Sequence, residues 1–393
     1  MTMTGDRPGA EMRATAAPAR AASASFFKAA PFWLSIPTVP LLWIGAVGGN
    51  WWLALAPLYT WGMYSTLDAI MGLDTSNPDP DQPDEQLFWY RLVTLVWAPL
   101  QLVTIFGLLA YVGMTDHLAW WEQIALFLGV GTITGTIGIV YAHELMHQKP
   151  RIERWMGDLL MTSTLYGHFR SEHMLVHHRY VGTPKDAVTA RYGESFYRTF
   201  ARVLVDSLFS AWHAERGMLE RKKLGWWHRS NPFWIYVGLQ AAFLILAWLL
   251  AGWAGVALFA FQAFVAIWHL ELVNYVEHYG LTRAYLGGGK YEHVKPHHSW
   301  NASHKASNWL LINLQRHSDH HYKPQRRFPL LQTYDETEAP NLPYGYPIMT
   351  AMAMFPPIWH ATMDPLVRLW RARHYPQITD WAPYDNGTLP FPR

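Results

Sequence analysis

Histidines at helical spacing are the residues of this chain best suited to do chemistry. They fall in three clusters: His143-Glu-Leu-Met-His147, Glu172-His173-Met-Leu-Val-His177-His178 and Leu314-Gln-Arg-His317-Ser-Asp-His320-His321. Residues three or four apart share a helix face, so the spacing predicts that each cluster offers its imidazoles to a common point. The eight rings are enough for two metal ions. Imidazole suits zinc, iron, copper or nickel, and neighbouring carboxylates favour iron or zinc. One zinc is satisfied by four ligands, so two redox metals account for the number better. Glu144, Glu172, Glu277 and Asp319 each adjoin one of these or a further histidine, placed to orient rings by hydrogen bonds or to coordinate directly. The first cluster also matches the H-E-x-x-H of zinc proteases, but a protease needs only one further ligand and leaves two clusters without purpose.

The elements that must carry these residues are apolar. Of 393 residues, 51% are hydrophobic and 15% charged, against roughly a quarter charged in soluble domains. The 22 Trp and 20 Tyr suit rings that collect where a bilayer meets water. Hydrophobic runs near residues 32–49, 51–70, 92–114, 118–142, 233–253 and 255–276 are each about twenty residues, which at about 1.5 Å per residue crosses a hydrocarbon core. The expected fold is therefore an all-α integral membrane protein of six transmembrane helices, paired as three hairpins, with a helical cap on one side carrying the histidines. Arg221-Lys222-Lys223 and other basic residues in the long segment 143–232 make that side cytoplasmic, which places a multi-pass protein in the cell inner membrane.

Residues 1–30, rich in Ala, Pro and Ser, read as a disordered tail. Residues 31–330 form the membrane domain, and residues 331–393 a cytoplasmic extension without a readable motif. Gly131 and Gly135 lie on a small-residue stripe in the fourth run that either packs helices or opens a substrate groove. Bulky Trp51, Trp52 and Trp61 are candidates for the floor of a substrate channel or for interfacial anchors. A net charge of +2 and the lack of any basic, aromatic-interleaved stretch exclude a nucleic-acid partner. With no cysteine, the chain holds no iron–sulfur centre of its own, so its electrons come from another protein. A haem cytochrome needs histidines facing each other inside the bilayer, and a metal transporter needs ionisable groups at mid-membrane; neither fits histidines at helix ends.

Together with the three clusters, Asn274-Tyr-Val-Glu-His278-Tyr-Gly-Leu281 and the full L-Q-R-H-S-D-H-H of Leu314 to His321 make the chain resemble the bacterial membrane-bound non-haem di-iron alkane 1-monooxygenases, within the fatty acid desaturase-like superfamily. The first two clusters alone are shared with desaturases and related hydroxylases. The resemblance spans roughly residues 30–330. It implies two iron ions held by His143, His147, His173, His177, His178, His278, His317, His320 and His321. It also implies terminal hydroxylation of alkanes or alkyl groups to primary alcohols with O2, and electrons from a rubredoxin fed by its reductase. His168, His269, His293, His297, His298 and His304 have weaker claims. Gln148 and Val176 depart from the Lys and Gly usual in the family. Methyl hydroxylases of alkylaromatics such as xylene, and fatty acid desaturases or hydroxylases, are the neighbouring alternatives; the non-enzyme alternative is a metal-binding membrane transporter.

Overall fold

The computed structural model describes residues 26–392. Four stretches are long and apolar enough to cross a membrane: α1 (Phe26–Gly48), α3 (Asp84–Met114), α4 (Trp120–His147) and α8 (Phe233–His278). Between the first two lies α2, residues 50–71, whose turns pass from 3-10 through α to π and back to α. The long α8 is broken at Ala251 and Gly252, whose non-helical backbone (Gly252 at φ +60°) divides it into two helical lengths. A glycine takes that left-handed conformation without the steric cost a Cβ brings. Residues 1–25, most of the expected tail, lie outside the described residues, and helix is already present from Phe26.

The second half of α8 is the spine of the fold and packs against α3 and α4. Its contact with α4 is unusually close: a Cβ on Gly131 would meet Val265 Cβ at 2.5 Å and Gln262 O at 2.7 Å, and one on Gly135 would meet Ala266 at 2.9 Å. The glycine stripe therefore sits at a helix–helix interface, where small residues let two backbones approach.

The other α-helices follow along the chain. In order they are α5 (Arg151–Ser163), α6 (residues 169–180), α7 (Phe196–Arg221), α9 (Lys305–Leu310), α10 (His317–Tyr322), α11 (Tyr346–Ala353), α12 (Pro356–His374) and α13 (Ala382–Asp385). A short antiparallel hairpin, β1 (Tyr285–Gly287) with β2 (Lys290–Tyr291), is the one sheet among the described residues. The C-terminal helices buttress the site. Trp359 is fully buried, Tyr279 just after α8 donates to Asp364 (2.6 Å), and Arg371 reaches Gly280 O (3.1 Å) while pairing with Asp385 (2.7 Å).

Candidate metal centre

Nine histidines from four helices converge in the described structure. His143 and His147 come from the last turns of α4, His173, His177 and His178 from α6, His278 from the end of α8, and His317, His320 and His321 from α10. They form two groups, His143, His147, His173, His178 and His320 in one, His177, His278, His317 and His321 in the other, with the ligand atoms of each group within 4.8 Å of one another. These are the nine positions singled out in the sequence.

The clusters do not each face one point, contrary to the simple helical expectation. In α6 the turn His173–His177 is a π turn. Its wider winding brings His178, five residues on, back beside His173 at 2.9 Å, while His177 points into the other group, 3.2 Å from His321. In α10 the i, i+4 pair His317 and His321 meet at 3.0 Å, and His320 turns away to approach His178 at 3.1 Å. Val176 lies inside the π turn, buried and with no left-handed backbone, so the geometry does not require glycine there.

The Nε2 atoms of His147, His173 and His178 form a triangle with edges of 2.9, 3.0 and 3.2 Å. Three nitrogens so close cannot all be joined by hydrogen bonds, because a neutral imidazole has a single N–H. Atoms about 2.1 Å from a shared ion at right angles to one another would sit about 3.0 Å apart. Burial, aided by repulsion from neighbouring rings, holds His173, His178, His317, His320 and His321 well below the usual imidazole range, so these rings keep a lone pair to donate. His143 Nε2 is buried without a hydrogen-bond partner. The donor set fits metal ions.

The carboxylates divide by what they touch. Asp186 Oδ2 is hydrogen-bonded to His177 Nδ1 at 3.0 Å, whereas Glu277 Oε1 lies 3.2 Å from His317 Nδ1 without a hydrogen bond between them. A carboxylate on the outer nitrogen fixes a ligand's tautomer and orientation. Burial pulls the Asp186 carboxyl up, but His177 and the Thr189 hydroxyl outweigh it and hold the group below its ordinary value. Asp186 escaped the sequence reading because it sits in a Thr-Pro-Lys-Asp loop eight residues beyond His178, at no helical spacing from it. Glu144 instead accepts from Gln148 Nε2 (2.9 Å) and Phe328 N (3.2 Å). Asp319 is held by Arg326, Tyr334 and Gln332, bracing α10. Glu172 is buried with neither oxygen partnered, and burial beside Asp186 and Glu271 pushes its carboxyl well above the usual range.

A model of the family Fatty acid desaturase matches residues 117–352, which holds all nine histidines. Alkane 1-monooxygenase 2 of Pseudomonas aeruginosa is 38% identical, with 88% of this chain and 94% of that protein covered. Alkane 1-monooxygenase 2 of Alcanivorax borkumensis is 36% identical over 86% and 90%. The chain belongs to the alkane 1-monooxygenase family. A more distant relative, the hydroxylase component of Xylene/toluene monooxygenase from Pseudomonas putida, is 28% identical over 84% of this chain and 87% of its own length.

Where this family member departs at Gln148, the side chain is taken up by Glu144, as above, rather than by the histidines. Of the histidines with weaker claims, none joins either group. His297 and His298 converge with Glu292, but Lys295 N–H points at His298 Nδ1 (2.9 Å). In the neutral ring the proton is then on Nε2, which faces Tyr375 Oη (2.7 Å) and Glu292 (3.3 Å). This network braces the loop leading to Asn301, which accepts from Ser318 N (2.9 Å) at the start of α10.

Beside α8 lies an apolar cavity of about 1050 Å³. Trp51 and Trp61 line it, together with Phe261, Val265, Trp268 and Leu272. Trp52, Gly131 and Gly135 are not among its lining; Trp52 folds over Gly48, where a Cβ would meet its ring at 2.6 Å.

Proposed function

We propose that this protein is an alkane 1-monooxygenase that inserts one atom of O2 into a terminal C–H bond, giving a primary alcohol and water and consuming two electrons and two protons. The observation that carries the reading is the juxtaposition of nine clustered histidines with the apolar cavity. Leu272 of the cavity wall is six residues before His278 on a continuous helix, about 9 Å along its axis.

In this reading two iron ions occupy the groups of five and four histidines. When bound, they supply activation of O2 for a C–H bond that no side chain can attack by acid–base chemistry. Asp186 holds the His177 ring in the tautomer that leaves the inward nitrogen free. The cavity walls exclude water and bind a chain without any polar demand, so an alkane dissolved in lipid enters sideways past exposed Leu58 and Phe264. Terminal attack in this reading requires that the apolar cavity present the chain end first to the histidine groups. Trp61, in the wall, limits the length accepted.

The four apolar helical stretches become six spans when α2 is counted and α8 is divided at Gly252. The cap then lies on the cytoplasmic side of the inner membrane, with the basic segment that ends α7. The cysteine-free chain holds no iron–sulfur carrier of its own, so its electrons come from another protein, and the family resemblance points to a rubredoxin. Arg179, Lys185, Arg202 and Arg221 line one cap crevice, and Lys222 and Lys223 follow at the end of α7. This positive face can steer an acidic carrier.

The experiment is metal analysis of the purified full chain, with product analysis after supplying rubredoxin, its reductase, NADH, O2 and a mixture of C6–C16 alkanes and alkylaromatics. About two irons per chain and a terminal alcohol are expected. Zinc without oxidation, or iron with only desaturated lipid, refutes the proposal, and benzylic alcohol without alkanol moves it to the methyl hydroxylases.

A further inference from the structure

The cavity has one feature that alkane binding does not use. His269, on α8, is its single ionisable lining residue. His269 Nδ1 lies 2.8 Å from Val265 O, so that nitrogen carries the proton and donates it to the carbonyl. An unpaired charge in an apolar cavity is costly, so the ring is neutral and Nε2 is a bare acceptor. Nε2 has no hydrogen-bond partner among the described residues.

The ring is also held in place. Trp61 packs its edge against it at 5.6 Å and 84°, and the backbone of Gly135 lies so close that a Cβ there would meet His269 Cβ at 2.9 Å. The cavity's other polar side chains compete poorly. Thr132 donates its hydroxyl proton to Leu128 O (2.9 Å), which leaves a hydroxyl oxygen that is a weaker acceptor than a neutral imidazole nitrogen, and Asn50 lies in the turn after α1, at the end of the cavity remote from His278.

We propose that His269 Nε2 is a hydroxyl-binding subsite that accepts a hydrogen bond from a medium-chain primary alcohol lying in the cavity. The inference rests on the reading of the cavity as the alkane site. His269 and His278 are nine residues apart on continuous helix, about 13 Å along the axis. In the proposed pose the alcohol is anchored by its oxygen at His269 and its methyl end passes Leu272 toward the histidine groups, in the opposite sense to a freshly formed product. In that pose the methyl C–H bond breaks, a C–O bond forms with one atom of O2, and the other atom leaves as water. The external donor supplies two electrons, solvent supplies two protons, and the product is an α,ω-diol.

The test uses the full chain in lipid nanodiscs, with bromine as a short-range quencher of tryptophan fluorescence. 10-Bromo-1-decanol and 1-bromodecane are titrated into wild type, His269→Leu and His269→Gln. Loss of one hydrogen bond is expected to weaken the bromo-alcohol about threefold to tenfold in the Leu variant. The bromoalkane should shift less than twofold, and Gln, whose amide oxygen accepts, should restore the alcohol. Equal weakening of both probes, or of neither, overturns the subsite. Feeding 1-decanol to the reconstituted wild type is expected to give 1,10-decanediol, and its absence while decane is hydroxylated overturns the second oxidation. Failure to hydroxylate decane at all counts against the parent reading instead, and the two quencher titrations still decide the subsite.

Discussion

Asp186 Oδ2 stands 3.0 Å from His177 Nδ1, with both side chains essentially excluded from solvent. Asp186 is itself tied to the Thr189 hydroxyl (2.6 Å) and to Val188 N (3.1 Å). The loop thus locks the carboxylate before the imidazole meets it. Removing the carboxylate in Asp186→Ala is expected to lower metal affinity about 10- to 100-fold. Asp186→Asn, which keeps an acceptor oxygen, should recover part of it. Metal retention during graded chelation reads this out, and an Ala variant that holds metal as tightly as wild type rules out the orienting role.

Ligand removal should be unequal between the groups. His177→Ala leaves three histidines in its group, whereas His320→Ala leaves four. Both variants should lose activity. Iron per chain should fall further in His177→Ala, because four nitrogen ligands still satisfy an ion that three hold weakly. Full activity in either variant would falsify the ligand assignment.

Chain length should respond to Trp61 and not to Trp52. Trp61→Ala deepens the cavity and is expected to move the preferred alkane to longer chains, while Trp52→Ala, outside the cavity lining, leaves the profile in place. Product distributions over C6–C16 alkanes measure this. A shift in Trp52→Ala of the same size places the floor elsewhere.

Stability should register the close approach of α4 and α8. Gly131→Ala sets a methyl 2.5 Å from Val265 Cβ, and overpacking of that kind costs about 1–3 kcal/mol. Thermal unfolding in detergent should show a lowered Tm, whereas Gly238→Ala, with nothing within 4 Å, should not. Equal melting of the two variants sinks the packing account.

Eight of the nine grouped histidines were legible because ligand type and spacing are sequence-local and each cluster lies within a single helix, while His278 was reached only through the family resemblance of Asn274 to Leu281. Their division was not, because it depends on the π turn in α6. Nothing in His-Met-Leu-Val-His distinguishes that turn from an α turn until the neighbouring helices press on it. Asp186 was invisible for a related reason, since a loop brings it to His177 and loops carry no period. Of the channel candidates, bulk alone could not separate Trp61, which reaches the cavity, from Trp52, which folds back on its own turn. The helical membrane character was plain from composition. The break in α8 was legible where the apolar runs 233–253 and 255–276 part, but α2 changes helix type along its length in a way that no apolar run records.

The π turn in α6 has one more effect. Because His177 and His178 are neighbours in the chain yet serve different groups, a single peptide link joins the two centres, and the same holds for His320 and His321 in α10. Consecutive Cα atoms are about 3.8 Å apart and the link between them is stiff. The two centres are therefore yoked at two points. Filling one fixes the backbone that presents ligands to the other, so the ions should load as a pair, with the second entering a site already set, and a half-filled protein should be scarce at equilibrium.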